Sequence, residues 1–269
     1  MSNLVSVNWL KTHINDDNLI ILDATIPKIT ANKTASNKEI IPGALFFDIK
    51  KKFSDTIAEF PNTIPSEAQF EQEAQALGVN QNSKIVVYDD LGIYSSPRAW
   101  WLFETFGFDN VYVLNGGFPE WKKQNGNTVS NYKAVTTVGD FIANYNHNQV
   151  VLINDLPSIS KEECTTIIDA RSEARFNCEV PEPRADLRSG TVPNSLNIPF
   201  KNLLDNGLFK SKDDLKVVFE ELTKNEKLVF TCGSGVTACI LNLGALEAGY
   251  KSLKVYDGSW TEYGSLIKP

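Results

Sequence analysis

Short, unbroken apolar runs recur along this 269-residue chain, each closing on a polar or reactive residue. Ile20-Ile21-Leu22-Asp23, Ile85-Val86-Val87-Tyr88-Asp89, Ile167-Ile168-Asp169 and Leu228-Val229-Phe230-Thr231-Cys232 are the clearest. Runs of this length without polar alternation predict strands covered on both faces, as in parallel sheets. Between them lie helical stretches with definable ends. Ser66 is placed to cap a helix over 67–77 that Gly78 closes, and 97–106 predicts another that ends at Gly107. Ser211 opens a third through about Leu222, and 236–247 predicts a fourth running to Gly249. Strands alternating with such helices predict an α/β architecture built on mainly parallel sheets.

The pattern occurs twice. Ile20-Ile21-Leu22-Asp23-Ala24 returns as Ile167-Ile168-Asp169-Ala170, and 42–49 (PGALFFDI) is echoed by 193–200 (PNSLNIPF). Residues 84–89 (KIVVYD) match 227–232 (KLVFTC), and 111–121 (VYVLNGGFPEW) match 253–263 (LKVYDGSWTEY). Four matched blocks in the same order indicate a duplication. The reading is therefore two α/β domains, residues 1–130 and 141–269, joined by a polar linker over 131–140.

One duplicated position separates the halves chemically. The strand 228–231 delivers Cys232 at its carboxyl end, and a helix begins about five residues later. Side chains at that edge of an open parallel sheet face its ligand crevice. Gly233 and Gly235 allow a tight turn whose N–H groups point inward, a nest for anions, and Val236, Thr237 and Ala238 complete it at the helix start. Such a site favours the thiolate, the nucleophilic form of cysteine, without a neighbouring base. A lone cysteine is more often a small core residue. The strand–Cys–Gly-x-Gly–helix context is what turns the reading to function. In the first half the same position holds Asp89, which cannot carry transferable sulfur, so 1–130 is expected to be non-catalytic and 141–269 catalytic. A C-x5-R phosphatase loop is excluded, because Ala238 stands where its anion-clamping arginine would be.

Composition narrows the class further. The chain is 42% hydrophobic and 22% charged with a net charge of −7, which argues against nucleic acid or an anionic membrane as partner. Four cysteines without C-x-x-C spacing, and two distant histidines, offer no metal site and no disulfide scaffold. The first ten residues lack the features of a targeting segment, and no 18-residue apolar run occurs, so a cytoplasmic location is expected. Cys239 reads as core, Cys178 as a loop residue, Trp100 and Trp101 as packing residues, and Lys50-Lys51-Lys52 as a solvated face.

Residues 4–10 (LVSVNWL), 94–101 (YSSPRAWW), the loop CGSGVTA and 257–264 (DGSWTEYG) together resemble the tandem-domain rhodanese family, and within it the 3-mercaptopyruvate sulfurtransferases. The resemblance spans nearly the whole chain and implies two rhodanese-like domains. Thiosulfate-specific members usually carry charged loop residues, as in CRKGVT. Gly233 and Ser234 leave room for a monoanionic keto acid instead. By the same resemblance Arg175 and Arg184 hold the substrate carboxylate, and Tyr94 is a further substrate contact. The local alternative for either arginine is an ion pair with Glu173, Glu179 or Glu182. An Asp and a His that assist the cysteine in some members fall near Lys50 and Asn62 here, so no Cys–His–Asp triad is expected. Proton delivery is left to Ser234, Thr237 or water.

The implied reaction moves sulfur from 3-mercaptopyruvate onto Cys232 as a persulfide, then to cyanide or to a thiol such as thioredoxin or glutathione, without a metal or organic cofactor. A thiosulfate-preferring rhodanese and a non-enzymatic sulfur-carrier or regulatory module remain the alternative readings.

Overall fold

The computed structural model describes residues 2–26 and 38–268. It divides into two compact units. One holds the chain up to Thr56 together with Ile64–Tyr145, and the other holds Ile57–Thr63 and the chain from Asn146 onward.

The first unit carries strands β1 (Leu4–Val5), β2 (Leu19–Asp23), β3 (Ala44–Phe46), β4 (Lys84–Tyr88) and β5 (Val111–Leu114). Helices α1 (Val7–His13), α2 (Glu67–Ala76), α3 (Ser96–Thr105) and α4 (Gly117–Lys123) flank them. The sheet order is β1-β5-β4-β2-β3 and every pairing is parallel. The second unit has strands β6 (Val150–Val151), β7 (Thr165–Asp169) and β8 (Leu196–Asn197), a hairpin β9–β10 (Leu204–Asp205, Leu208–Phe209), β11 (Lys227–Thr231) and β12 (Ser252–Tyr256). Its helices are α5 (Leu156–Ile159), α6 (Glu173–Phe176), α7 (Lys212–Leu222), α8 (Ala238–Ala248) and α9 (Ser259–Leu266). Its main sheet runs β6-β12-β11-β7-β8, again all parallel, so the two sheets match strand for strand. The duplication and the α/β reading of the sequence both hold.

The helix ends follow the residues that predicted them. The Ser66 hydroxyl accepts from Gln69 N, and Ser211 caps α7 through Asp214 N. Gly249 ends α8 with φ +106°, a conformation that costs glycine nothing.

Packing fixes the strands and helices that carry the site. Beneath the first sheet, Phe70 stacks on Phe106 and meets Phe53, Phe103 and Phe141 edge-on. Each such pair contributes about 0.5–1.5 kcal/mol beyond its area. Phe141 is 1% exposed, and Gly139 N donates to Gln75 O while Lys133 N donates to Ala44 O. The polar stretch 131–140 therefore lies along the first unit, which continues to Tyr145. In the second unit nine of the eleven residues of α8 are buried, so this helix is a core element and its N-terminus is held rigidly. Trp100, Trp101 and Cys239 are buried, while Cys164 and Cys178 are exposed. Among the described residues no helix is long and apolar enough to cross a membrane.

Candidate active site

Strand register sets the site. Thr231 pairs with Asp169, so the carboxyl ends of β11 and β7 lie side by side and Cys232 emerges next to the Asp169 turn. Cys232 is 1% exposed. Its loop is sewn to the start of α9: Trp260 N donates to Cys232 O and Thr261 N to Gly233 O, both at 2.9 Å. The Ser259 hydroxyl accepts from Cys232 N and from Gly235 N, each at 3.1 Å. Gly235 takes φ +73°, which turns the following N–H groups inward. The N–H groups of Val236, Thr237 and Ala238 have no acceptor among the described residues, and they ring the entrance to α8.

The first unit shows what such a ring does. There Asp89 ends the equivalent strand, and its Oδ2 accepts from the N–H groups of Tyr94, Ser95 and Ser96 at 2.8–3.0 Å and from the Ser96 hydroxyl at 2.7 Å. Aligned on the first residues of α3 and α8, these three donors correspond to Val236, Thr237 and Ala238. The loop of the first unit is thus filled by its own carboxylate. The second unit has Cys232 at the matching position of the sequence, and its three donors have no acceptor among the described residues.

Arg175, on α6, lies beside the cysteine loop: a Cβ built on Gly233 would stand 3.0 Å from its Nη2. The same guanidinium pairs with Glu182 through Nη2 at 2.5 Å, so the local ion pair weighed from sequence does form. Glu182 also takes Arg171 at 2.7 Å, and Arg171 closes on Asp169 at 2.7 Å. Burial works against the Arg171 charge, but the Asp169 and Glu182 carboxylates outweigh it and hold its pKa above the ordinary value. This buried chain of four charges fixes Glu182, which in turn orients Arg175. Arg184 reaches the loop indirectly. Its Nη1 donates to the Thr261 hydroxyl at 3.1 Å, and that hydroxyl donates to Gly233 O.

Asn62 belongs to the second unit through the segment Ile57–Thr63. Its Nδ2 donates to Ser234 O at 3.0 Å and to Ser234 Oγ at 3.1 Å. Lys50, the other position singled out by the resemblance, is an exposed residue of the first unit. Tyr94 is also a first-unit residue, half-buried, with its N–H bound to Asp89. Thr237 stands at the N-cap of α8 without a side-chain capping bond. The second unit therefore gathers Cys232, Gly233, Ser234, Gly235, Val236, Thr237 and Ala238 in one loop, with Arg175 against it and Arg184 one hydroxyl away.

Three residues of this site escape a reading by motif. Arg171 follows the Asp169 strand end and looks like an ordinary turn residue, yet it is fully buried in the ion-pair chain. Ser259 and Thr261 lie in the Gly258-Ser259-Trp260-Thr261 block, where the first half has Gly116-Gly117-Phe118-Pro119. That exchange of glycine and proline for two hydroxyls was the available signal.

The rhodanese-like domain model matches residues 6–124 and again 153–266. The 3-mercaptopyruvate sulfurtransferase of Escherichia coli (strain K12) is 36% identical over 267 residues, covering 97% of this chain and 94% of that protein. The thiosulfate sulfurtransferase of Rattus norvegicus is 35% identical over 272 residues, covering 97% and 91%. In structure, the chain is similar to SseA of Escherichia coli, described as a 3-mercaptopyruvate sulfotransferase, with a TM-score of 0.86, 34% identity, and coverage of 97% and 99%. The chain, with its duplicated parallel sheets and the Cys232 loop at the strand end of the second, belongs to the rhodanese family as a tandem-domain sulfurtransferase.

Proposed function

We propose that the chain transfers sulfane sulfur from 3-mercaptopyruvate to a thiophilic acceptor through a persulfide on Cys232, with the first unit non-catalytic. The observation that carries this reading is that Cys232 opens a loop whose Val236, Thr237 and Ala238 N–H groups have no acceptor among the described residues, whereas the matching N–H groups of the first unit grip a carboxylate. A ring able to hold one negative oxygen is suited to a thiolate and to a persulfide anion.

In the first step the Cys232 thiolate attacks the sulfur of the donor. A sulfur–sulfur bond forms, the carbon–sulfur bond breaks, and its electron pair passes to carbon as the pyruvate enolate. A proton completes pyruvate. Asn62 donates into Ser234 Oγ, which leaves the Ser234 hydroxyl hydrogen directed elsewhere, so Ser234 is suited to deliver that proton. Thr237 is the second hydroxyl in the loop. Arg175 and Arg184 hold the donor carboxylate, which places its sulfur against Cys232. In the second step the acceptor, cyanide or a thiol of the thioredoxin or glutathione kind, attacks the outer sulfur and regenerates the thiolate.

Mercaptopyruvate is favoured over thiosulfate because Gly233 and Ser234 bring no positive charge to the loop, and a thiosulfate dianion calls for it. A cytoplasmic setting suits a cysteine that must stay reduced between turnovers. The test is intact mass after incubation with 3-mercaptopyruvate, alongside Cys232→Ser. Wild type gains one sulfur atom and the variant none; an equal gain on both overturns the reading. Pyruvate release from mercaptopyruvate, compared with thiocyanate formed from thiosulfate, assigns the donor. Absence of both activities in folded protein points to a carrier module.

A further inference from the structure

Ser259 has a backbone that its residue type does not favour. Six non-glycine residues among those described take positive φ: four are asparagines, one is the exposed Cys178, and the sixth is Ser259 at +51° and 0% exposed. Asparagine tolerates this region; a buried serine there is held at a cost of about 1 kcal/mol or more. The duplicated position in the first unit is Gly117, with φ +53°. A Cβ there would stand 2.4 Å from Gly92 O and 2.6 Å from Asp89 O. The half with a carboxylate in its loop uses glycine at this point, and the half with a thiol uses serine.

A hydroxyl has two acceptor positions and one hydrogen. The Ser259 oxygen accepts from Cys232 N and Gly235 N, which takes up both positions. Its hydrogen has two acceptors within reach, the carbonyl of Tyr256 at 3.0 Å and Sγ of Cys232 at 3.8 Å. We propose that Ser259 is a catalytic residue acting directly on the reacting sulfur. Its hydroxyl hydrogen points to Tyr256 O while Cys232 is a neutral thiol, and swings to the sulfur when that becomes anionic. The loop then supplies a side-chain donor at Sγ, and the strained backbone is what aims it. No bond is made or broken at Ser259; a hydrogen bond is exchanged.

The inference rests on the reading of Cys232 as the sulfur carrier, and its test is separable from that reading. Ser259→Ala removes the hydroxyl and keeps the strain; Ser259→Gly removes both and restores what the first unit carries. Both leave in place the neighbouring charges, namely Arg175 against Gly233, Arg184 bound to Thr261, Glu262 beside Gly258, and the Asp257 and Glu59 carboxylates near Glu262. The primary measurement is the pH midpoint of iodoacetamide alkylation at Cys232, read at the peptide level so that Cys164 and Cys178 do not contribute. Loss of one hydrogen bond to a charged sulfur moves the midpoint upward by about one pH unit or more in both variants. The same loss lowers kcat at least tenfold, with KM changed by less than about threefold. A hydroxyl that only staples the loop would alter KM or thermal stability and leave the midpoint where it is. Midpoints in both variants within about 0.2 pH units of wild type overturn the proposal. If wild type fails to take up sulfur from mercaptopyruvate, the proposed function falls, while the alkylation comparison still decides the role of Ser259.

Discussion

Asn62 donates its side-chain amide to both oxygens of Ser234, the carbonyl at 3.0 Å and the hydroxyl at 3.1 Å. An amide nitrogen can only donate, so the Ser234 hydroxyl is fixed as acceptor on that side and as donor on the other. A histidine at this place would titrate; Asn62 does not.

The first prediction follows from that polarity. Asn62→Ala frees the Ser234 rotor and lowers kcat about tenfold, the value of one oriented hydrogen bond. Asn62→Asp turns the donor into an acceptor that captures the Ser234 hydrogen, and its loss is larger. Wild-type kcat/KM from pH 5.5 to 8 lacks an inflection from a group at position 62, while Asn62→His introduces one near about 6.5. Steady-state kinetics across that range checks all three variants.

A second prediction concerns the filled loop of the first unit. Asp89→Ala removes a carboxylate whose Oδ2 accepts from three N–H groups and a hydroxyl and whose Oδ1 accepts from Leu91 N, so these bonds are lost together. Urea unfolding should show a loss of about 2–4 kcal/mol. Sulfur uptake at Cys232 per folded molecule should be unchanged. A loss of uptake in fully folded variant would mean that the first loop takes part in the reaction.

The arginine network gives a third. Glu182 is 6% exposed and holds both Arg171 and Arg175. Glu182→Gln leaves the buried Arg171 with one carboxylate partner, and the protein loses about 3–5 kcal/mol by chemical denaturation. Arg175→Lys keeps the charge but not the planar fork. It raises KM for the keto acid about tenfold while alkylation of Cys232 by a neutral reagent stays near wild type.

Glu104 supplies a pH dependence away from the site. Burial first, then the nearby Asp109 charge, pushes its carboxyl from 4.5 up to about 7. The folded state therefore holds this proton more tightly than the unfolded chain. Between about pH 4.5 and 7 the unfolded state releases it first, so stability falls as pH rises through that window and levels off above it. Every tenfold gain in proton affinity is worth about 1.4 kcal/mol, and partial exposure of the side chain reduces the whole effect to about 1–2 kcal/mol. Glu104→Gln removes this slope and raises the melting temperature at pH 8 relative to wild type. Calorimetry at pH 5 and pH 8 is the check.

Much of this protein was determined by its sequence alone. Parallel strands announce themselves because burial on both faces demands unbroken apolar runs, and helix ends because Ser66, Ser211 and Gly249 satisfy or release backbone groups locally. The duplication and the choice between Cys232 and Asp89 were equally legible, since both are comparisons of one stretch with another. What only tertiary structure decided are contacts between residues far apart in the chain. That Asn62 meets Ser234 depends on the segment Ile57–Thr63 joining the second unit, which no local preference encodes. That Arg175 pairs with Glu182 beside Gly233, and that Ser259 takes a glycine backbone to reach Cys232, depends on how α6 and α9 pack at the sheet edge. Local chemistry selects the elements, whereas a hydrogen bond across 27 or 172 residues exists only once a packed core has brought its ends together.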